Sequence, residues 1–168
     1  MNSTESKCLS TASTDGGSRR REVPQSLIPT HFPAHDPALI VTGVVRRGDG
    51  RGRLLGFPTA NIVLDPGTHR HGVWSALVVT ADGRRWPAAV SIGRRSTFYG
   101  RDGQLLLEAH LLDVEGLDLY GEEISVHLCE RIRPQRRFAD VDDLKDQLAR
   151  DVHHSRSWAM SSSAADTR

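Results

Sequence analysis

The sequence predicts a small, mainly β domain: an antiparallel barrel with one amphipathic helix near its C-terminal end. Three observations carry this. Apolar residues recur with a period of two over most of residues 37–154, Asp-Gly steps at Asp82-Gly83 and Asp102-Gly103 punctuate the alternating runs, and the period turns helical only once, after Asp140. Short strands with tight turns and a single covering helix make a barrel closed or capped on one side. The same periodicity also fits an open sandwich.

The elements follow in chain order. Residues 1–36 are rich in Ser, Thr, Gly and Pro, carry the basic cluster Arg19, Arg20 and Arg21, and hold few large apolar side chains; they are expected to be a disordered leader. Leu39 to Val45 reads as a strand, as does Val73 to Thr80. Arg85 to Ile92 is expected to pair with the latter as a hairpin through Asp82-Gly83. Gln104 to Leu112 is a further strand, Asp113 to Glu123 a loop, and Ile124, Val126, Leu128 and Ile132 mark the last strand. Val141, Leu144, Leu148 and Val152 then fall on one helical stripe, with Asp140 placed to cap it and Asp143 adding negative charge to the first turn. The folded domain is expected to span 37–154. Residues 155–168 read as a disordered tail, apart from Trp158, which is able to dock.

Composition removes several function classes. The 168-residue chain suits one domain, and its formal charge of +1 supplies no global field to recruit nucleic acid or an anionic membrane. Cys8 and Cys129 form no CxxC and no disulfide framework, which fits a reducing compartment. No apolar signal region and no membrane-length apolar run occur, so a soluble cytoplasmic monomer is expected.

The most informative stretch is Gly48 to Asn61, GDGRGRLLGFPTAN. Gly48, Gly50 and Gly52 are expected to let the backbone adopt positive φ and bring N–H groups close to an anion, with Arg51 and Arg53 as charge-assisted donors. Pro58 keeps the following segment extended, so Thr59 and Asn61 project from one side and Ala60 from the other. A hydroxyl and an amide carbonyl side by side are hard oxygen donors. A magnesium ion already chelated by polyphosphate needs only one or two of these. The stretch is not a Walker loop, because Phe57 and Pro58 follow Gly56 where Lys and Ser or Thr are required. Nor is it a dinucleotide fingerprint, because Pro58, Thr59, Ile62 and Val63 disfavour the helix that must follow.

Other candidates are weaker. His69, His71, His153 and His154 lack a third ligand at metal spacing. Ser91 and Ser96 lack a nucleophile elbow. The basic run Arg131 to Arg137 has no aromatic interleaving short of Phe138 and stands beside Asp140, Asp142 and Asp143, so no nucleic-acid partner is expected.

Four blocks occur together: GDGRGRLLGFPTANI, then LEAHLLD (107–113), LYGEEISVHL (119–128) and RIRPQRRF (131–138), with Leu144, Gln147 and Asp151 on the closing helix. In that order they resemble the riboflavin kinase (flavokinase) family over about residues 42–151. The resemblance implies a six-stranded antiparallel Greek-key barrel with a C-terminal helix, and transfer of the ATP γ-phosphate to riboflavin to give FMN and ADP. It also implies that Gly48 to Gly56 is the flap over the ATP phosphates, that Thr59 and Asn61 are the magnesium and phosphate ligands, and that Glu108 is the general base. Arg131 and Arg133 fall on the flavin side. The chain departs from the family pattern at Ser96, where relatives carry Pro, at Gln135, where they carry Glu, and at Trp74, where Tyr is frequent. These departures motivate a second reading, a flavin- or nucleotide-binding protein of the same fold without turnover. The short leader and the wrong order of His69-Arg70-His71-Gly72 lead to the expectation that FAD synthesis is absent.

Overall fold

Alternation along the strands sorts their side chains into two layers, and that sorting builds the fold. The computed structural model describes residues 39–67, 70–94, 103–114 and 116–165. The leader, Asp102, His69 and Ser96 lie outside the described residues. The elements are β1 (Ile40–Val44), α1 (Arg51–Leu54), β2 (Ala60–Val63), β3 (Gly72–Thr80), β4 (Arg85–Arg94), β5 (Leu105–Leu111), β6 (Glu123–Arg133) and α2 (Val141–Ala165). The strands form one antiparallel sheet in the order β1-β6-β3-β4-β5-β2. β3, β4 and β5 are a meander and β6 returns beside β3, which is a Greek key. The two outer strands then meet: Arg46 N–H donates to the Asn61 carbonyl at 2.8 Å, so the sheet curls into a nearly closed barrel.

The lumen is filled by Ala76, Val78, Ala88, Val90, Ile92, Leu107, Ala109, Ile124 and Val126, all buried. Ala76 lies opposite Ala88 and Val90 opposite Ala109, so small side chains stand where the narrow barrel leaves least room. Each large aliphatic buried in this way contributes about 1.5–3 kcal/mol relative to exposure. β3 is buried on its outer face as well, at Ser75 and Leu77, because α2 packs across β3 and β4. The run VWSALVVT is for that reason nearly continuous in apolar residues rather than strictly alternating. The expected hairpin forms at Asp82-Gly83, with Gly83 N–H donating to the Thr80 carbonyl at 2.8 Å and Gly83 at φ 80°.

The helix begins as expected: the Asp143 N–H donates to the Asp140 carboxylate at 2.8 Å. It does not end as expected. Residues 155–165 continue α2 rather than forming a tail. The reason is packing by small side chains: Ser155 and Ala159 are fully buried, and the Ser75 hydroxyl donates to Ser155 Oγ at 3.2 Å, so the helix lies close against β3 without large apolar residues. A second tie joins Arg156 to Asp113 at 2.8 Å. Val141, expected on the buried stripe, is 60% exposed; contact with the barrel begins one turn later at Leu144. Among the described residues no helix is long and apolar enough to cross a membrane.

Candidate active site

The barrel registers place one outward-facing residue from each of five strands in a row. Asn61 pairs with Glu108, Glu108 with Ser91, Ser91 with Val73 and Val73 with Arg133. At about 4.8 Å per strand the row runs roughly 19 Å across β2, β5, β4, β3 and β6. It floors a cavity of about 390 Å³ roofed by α1 with its loop at one end and by α2 at the other. The first end is polar, with Thr59, Asn61 and Glu108. The second is apolar, with Phe138, Leu144, Leu148 and Val152.

All the residues expected from Gly48 to Asn61, except Gly56, line this cavity, and so does Glu108. Thr59 and Asn61 do face one way: the Thr59 hydroxyl donates to Asn61 Oδ1 at 3.4 Å, whereas Ala60 turns into the lumen. Asn61 is buried and Glu108 half-buried. The glycines act differently from expectation. Of Gly48, Gly50 and Gly52, only Gly50 has positive φ (71°), and Gly56 adds a second at 89°. Gly48 and Gly52 are required by close approach instead. A Cβ on Gly48 would come within 2.4 Å of Asn61 Nδ2, and one on Gly52 within 2.4 Å of the Phe57 carbonyl oxygen. Between them the stretch forms a helical turn, α1, rather than an open loop, with Leu54 87% exposed and Arg51 in a loose, exposed pair with Asp49 at 3.9 Å.

The oxygens of Thr59 and Asn61 are uncharged hard donors of the kind a divalent cation takes, and a Cβ at Gly48 or Gly52 would crowd the Asn61 amide or the Phe57 carbonyl beside them. Among the described residues no three His, Cys, Asp or Glu side chains cluster around a metal. Burial pushes the Cys129 thiol up to about 11.

An ion-pair network borders the cavity at its α2 end. Arg133 donates to both Asp151 oxygens at 2.7–3.2 Å, and Gln147 Nε2 donates to Asp151 Oδ1 at 2.8 Å. Asp151 is 2% exposed, and the network pins α2 to β6 beside the cavity. The signal for it is a carboxylate within the helical stripe that runs from Leu148 to Ser155. The Arg133 and Arg136 guanidinium groups also stack on Phe138, and Arg131 donates to the His71 carbonyl at 3.2 Å, so the basic run serves contacts within the fold. Gln135 Nε2 donates to Ser91 Oγ at 2.8 Å and to the Ile92 carbonyl at 3.2 Å. A Glu here offers neither bond as a donor, so this departure from the family pattern builds a contact of its own. His110 Nδ1 lies 2.8 Å from the Pro58 carbonyl, with the Phe57 ring edge-on at 5.5 Å; burial holds its pKa below the ordinary imidazole value.

A second cavity of about 540 Å³ opens on the other side of Thr59. Arg53, Pro58, Thr59 and Tyr120 border both cavities; Leu117 and Leu119 belong to the second, as does Arg47, whose guanidinium stacks 4.7 Å from the Tyr120 ring centroid.

A family model described as Flavokinase: Riboflavin kinase matches residues 37–159. The chain is 44% identical over 112 residues to the bifunctional riboflavin kinase/FMN adenylyltransferase of Escherichia coli K12, covering 66% of this chain and 35% of that protein. It is 39% identical over 123 residues to the protein of the same name from Pseudomonas fluorescens, covering 71% and 38%. The chain thus spans little more than a third of the length of these relatives. Riboflavin kinase from Trypanosoma brucei superposes with a TM-score of 0.50 at 26% identity, covering 71% of this chain and 78% of that one. A Streptococcus pneumoniae chain described as a macrolide-efflux protein superposes with a TM-score of 0.59 at 35% identity, covering 71% and 39%.

Proposed function

This chain belongs to the riboflavin kinase family, and we propose that it transfers the γ-phosphate of ATP to the terminal ribityl hydroxyl of riboflavin, giving FMN and ADP. One observation carries the reading: Glu108 lies directly across the β2–β5 ladder from Asn61, and Thr59 converges on Asn61 from the same side. An acid–base group, an oxygen-donor pair and a glycine cradle thereby share one cavity with a large apolar end.

The apolar end at Phe138, Leu144, Leu148 and Val152 receives the flavin ring system, which directs the ribityl chain along the row toward Glu108. The base and ribose of the nucleotide occupy the second cavity, so the triphosphate crosses at Thr59. Thr59 and Asn61 hold the magnesium ion, which supplies charge neutralisation to the phosphoryl oxygens when bound. Glu108 accepts a hydrogen bond from the ribityl hydroxyl and orients it in line with the γ-phosphorus. As the new O–P bond forms and the bond to the β-phosphate oxygen breaks, Glu108 takes the hydroxyl proton and ADP departs. Alignment supplies most of the acceleration, because phosphoryl transfer has a loose transition state in which positioning counts for more than the base.

Incubation of the protein with riboflavin, ATP and magnesium, resolved by chromatography, is expected to yield FMN and ADP in equal amounts. Tight flavin binding with no FMN would instead support the reading without turnover. Asn61→Ala removes one neutral oxygen donor without changing net charge, and is expected to raise the magnesium concentration needed for half-maximal activity by about ten- to a hundredfold. An unchanged metal titration would remove Asn61 from the site.

A further inference from the structure

The hydrogen bond between His110 and Pro58 lies at the point where the β2–β5 ladder stops. Ala60 is the first residue of β2 in register, opposite Ala109. The residues before it, Phe57 to Thr59, belong to no strand, and so lack the ladder that would otherwise set the orientation of their peptide planes. Pro58 contributes no N–H of its own. The His110 side chain stands in for the missing ladder: Nδ1 is 2.8 Å from the Pro58 carbonyl oxygen. A carbonyl only accepts, so Nδ1 carries the proton. The Pro58–Thr59 peptide is planar and trans, which points the Thr59 N–H opposite to the carbonyl that His110 holds. Clamping one atom therefore fixes the direction from which Thr59 departs. The edge-on Phe57 ring packs against the same imidazole, 5.5 Å between centroids, and restrains its rotation.

We propose that His110 is a positioning residue for the phosphate end of the site: its Nδ1–H holds the Pro58 carbonyl so that the Thr59 hydroxyl and Asn61 Oδ1 converge on the metal–nucleotide. The inference rests on the reading of Thr59 and Asn61 as that end of the site. His110 acts through Pro58 and touches neither the transferred phosphoryl group nor the acceptor hydroxyl. Burial of the ring favours its neutral form, and the bond persists because the proton needed is the one on Nδ1.

Two amide substitutions separate this role from simple packing. The Asn amide nitrogen occupies the position of Nδ1, whereas Gln places its amide near Nε2, one bond too far. Calorimetric binding of ATP with magnesium is expected to be weakened about tenfold in His110→Gln and to stay within about twofold of the parent in His110→Asn, each net hydrogen bond being worth about that much. Riboflavin affinity is expected to be unchanged in both. Equal losses in the two variants, or riboflavin affinity falling in step with nucleotide affinity, would overturn the proposal. Nitrogen NMR shifts of the unsubstituted protein test it whether or not the Gln variant folds: the His110 proton belongs on Nδ1, and an Nε2–H tautomer overturns the assignment. A protein that binds nucleotide in this pattern yet makes no FMN would refute the kinase reading and leave the clamp standing.

Discussion

Glu108→Gln is expected to lower kcat by about 10² to 10⁴ while leaving riboflavin affinity nearly unchanged. Gln has almost the same volume, and position 108 is half-buried on the outer face of β5, so the strand pairing with β2 and β4 survives the change. The amide oxygen still accepts a hydrogen bond from the ribityl hydroxyl, which preserves part of the alignment. It does not accept the proton as the O–P bond forms. The loss therefore falls on kcat, and kcat/KM drops by the same factor, the pattern for an interaction made only in the transition state. Turnover within a few-fold of the parent protein would show that alignment alone carries the reaction and would remove Glu108 from proton transfer.

Asp151→Ala is expected to destabilise the fold by about 3 kcal/mol, the low end for breaking a buried ion pair. The carboxylate side chain is 3% exposed and receives hydrogen bonds from Arg133 and Gln147; removing it strands a guanidinium whose side chain is only 16% exposed. The low end applies because Arg133 borders the cavity and reaches some water, and because it retains the Pro134 carbonyl at 3.1 Å. The melting temperature should fall by roughly 10 °C. Replacing Arg133 and Asp151 together with apolar residues of similar size should recover most of that loss, since the paired charges and their desolvation costs then disappear together. A single substitution that leaves the melting temperature unchanged would show that the network adds nothing to the docking of α2. Riboflavin affinity is expected to fall with Asp151→Ala as well, because Leu144, Leu148 and Val152 form the apolar end of the cavity only while α2 is held against β6.

The sequence reading was reliable where a feature depends on neighbouring residues. Period-two alternation located five of the strands to within about two residues, and the extended FPTAN segment led into the sixth. Asp82-Gly83 placed the hairpin, and Asp140 caps α2 as its position before Val141 suggests. Thr59 and Asn61 share a side because extended backbone alternates, which is a property of the chain rather than of the fold. Reading failed where the signal is not local. Residues 155–165 resemble a tail because Ser155 and Ala159 are small, yet smallness is what lets α2 lie against β3. Gly48 and Gly52 are glycines for the nearness of Asn61 and of the Phe57 carbonyl, groups thirteen and five residues further along the chain, and not for their own backbone angles.

By itself, then, the chain determined a mainly β domain with one capped helix, a pair of oxygen donors beside a glycine-rich turn, and an acidic residue on an alternating strand. Tertiary structure alone decided that these meet. Asn61 and Glu108 are 47 positions apart in sequence, and they become neighbours only through the β2–β5 register, which is set as the sheet closes on itself at Arg46 and Asn61. The same closure brings Ser91, Val73 and Arg133 into line, presents His110 to Pro58, and buries Asp151 against Arg133. Periodicity records which way each side chain points along its own strand. Register between strands is a contest among all of them at once, decided by how the small and large residues fill the lumen, and no short window of sequence contains it.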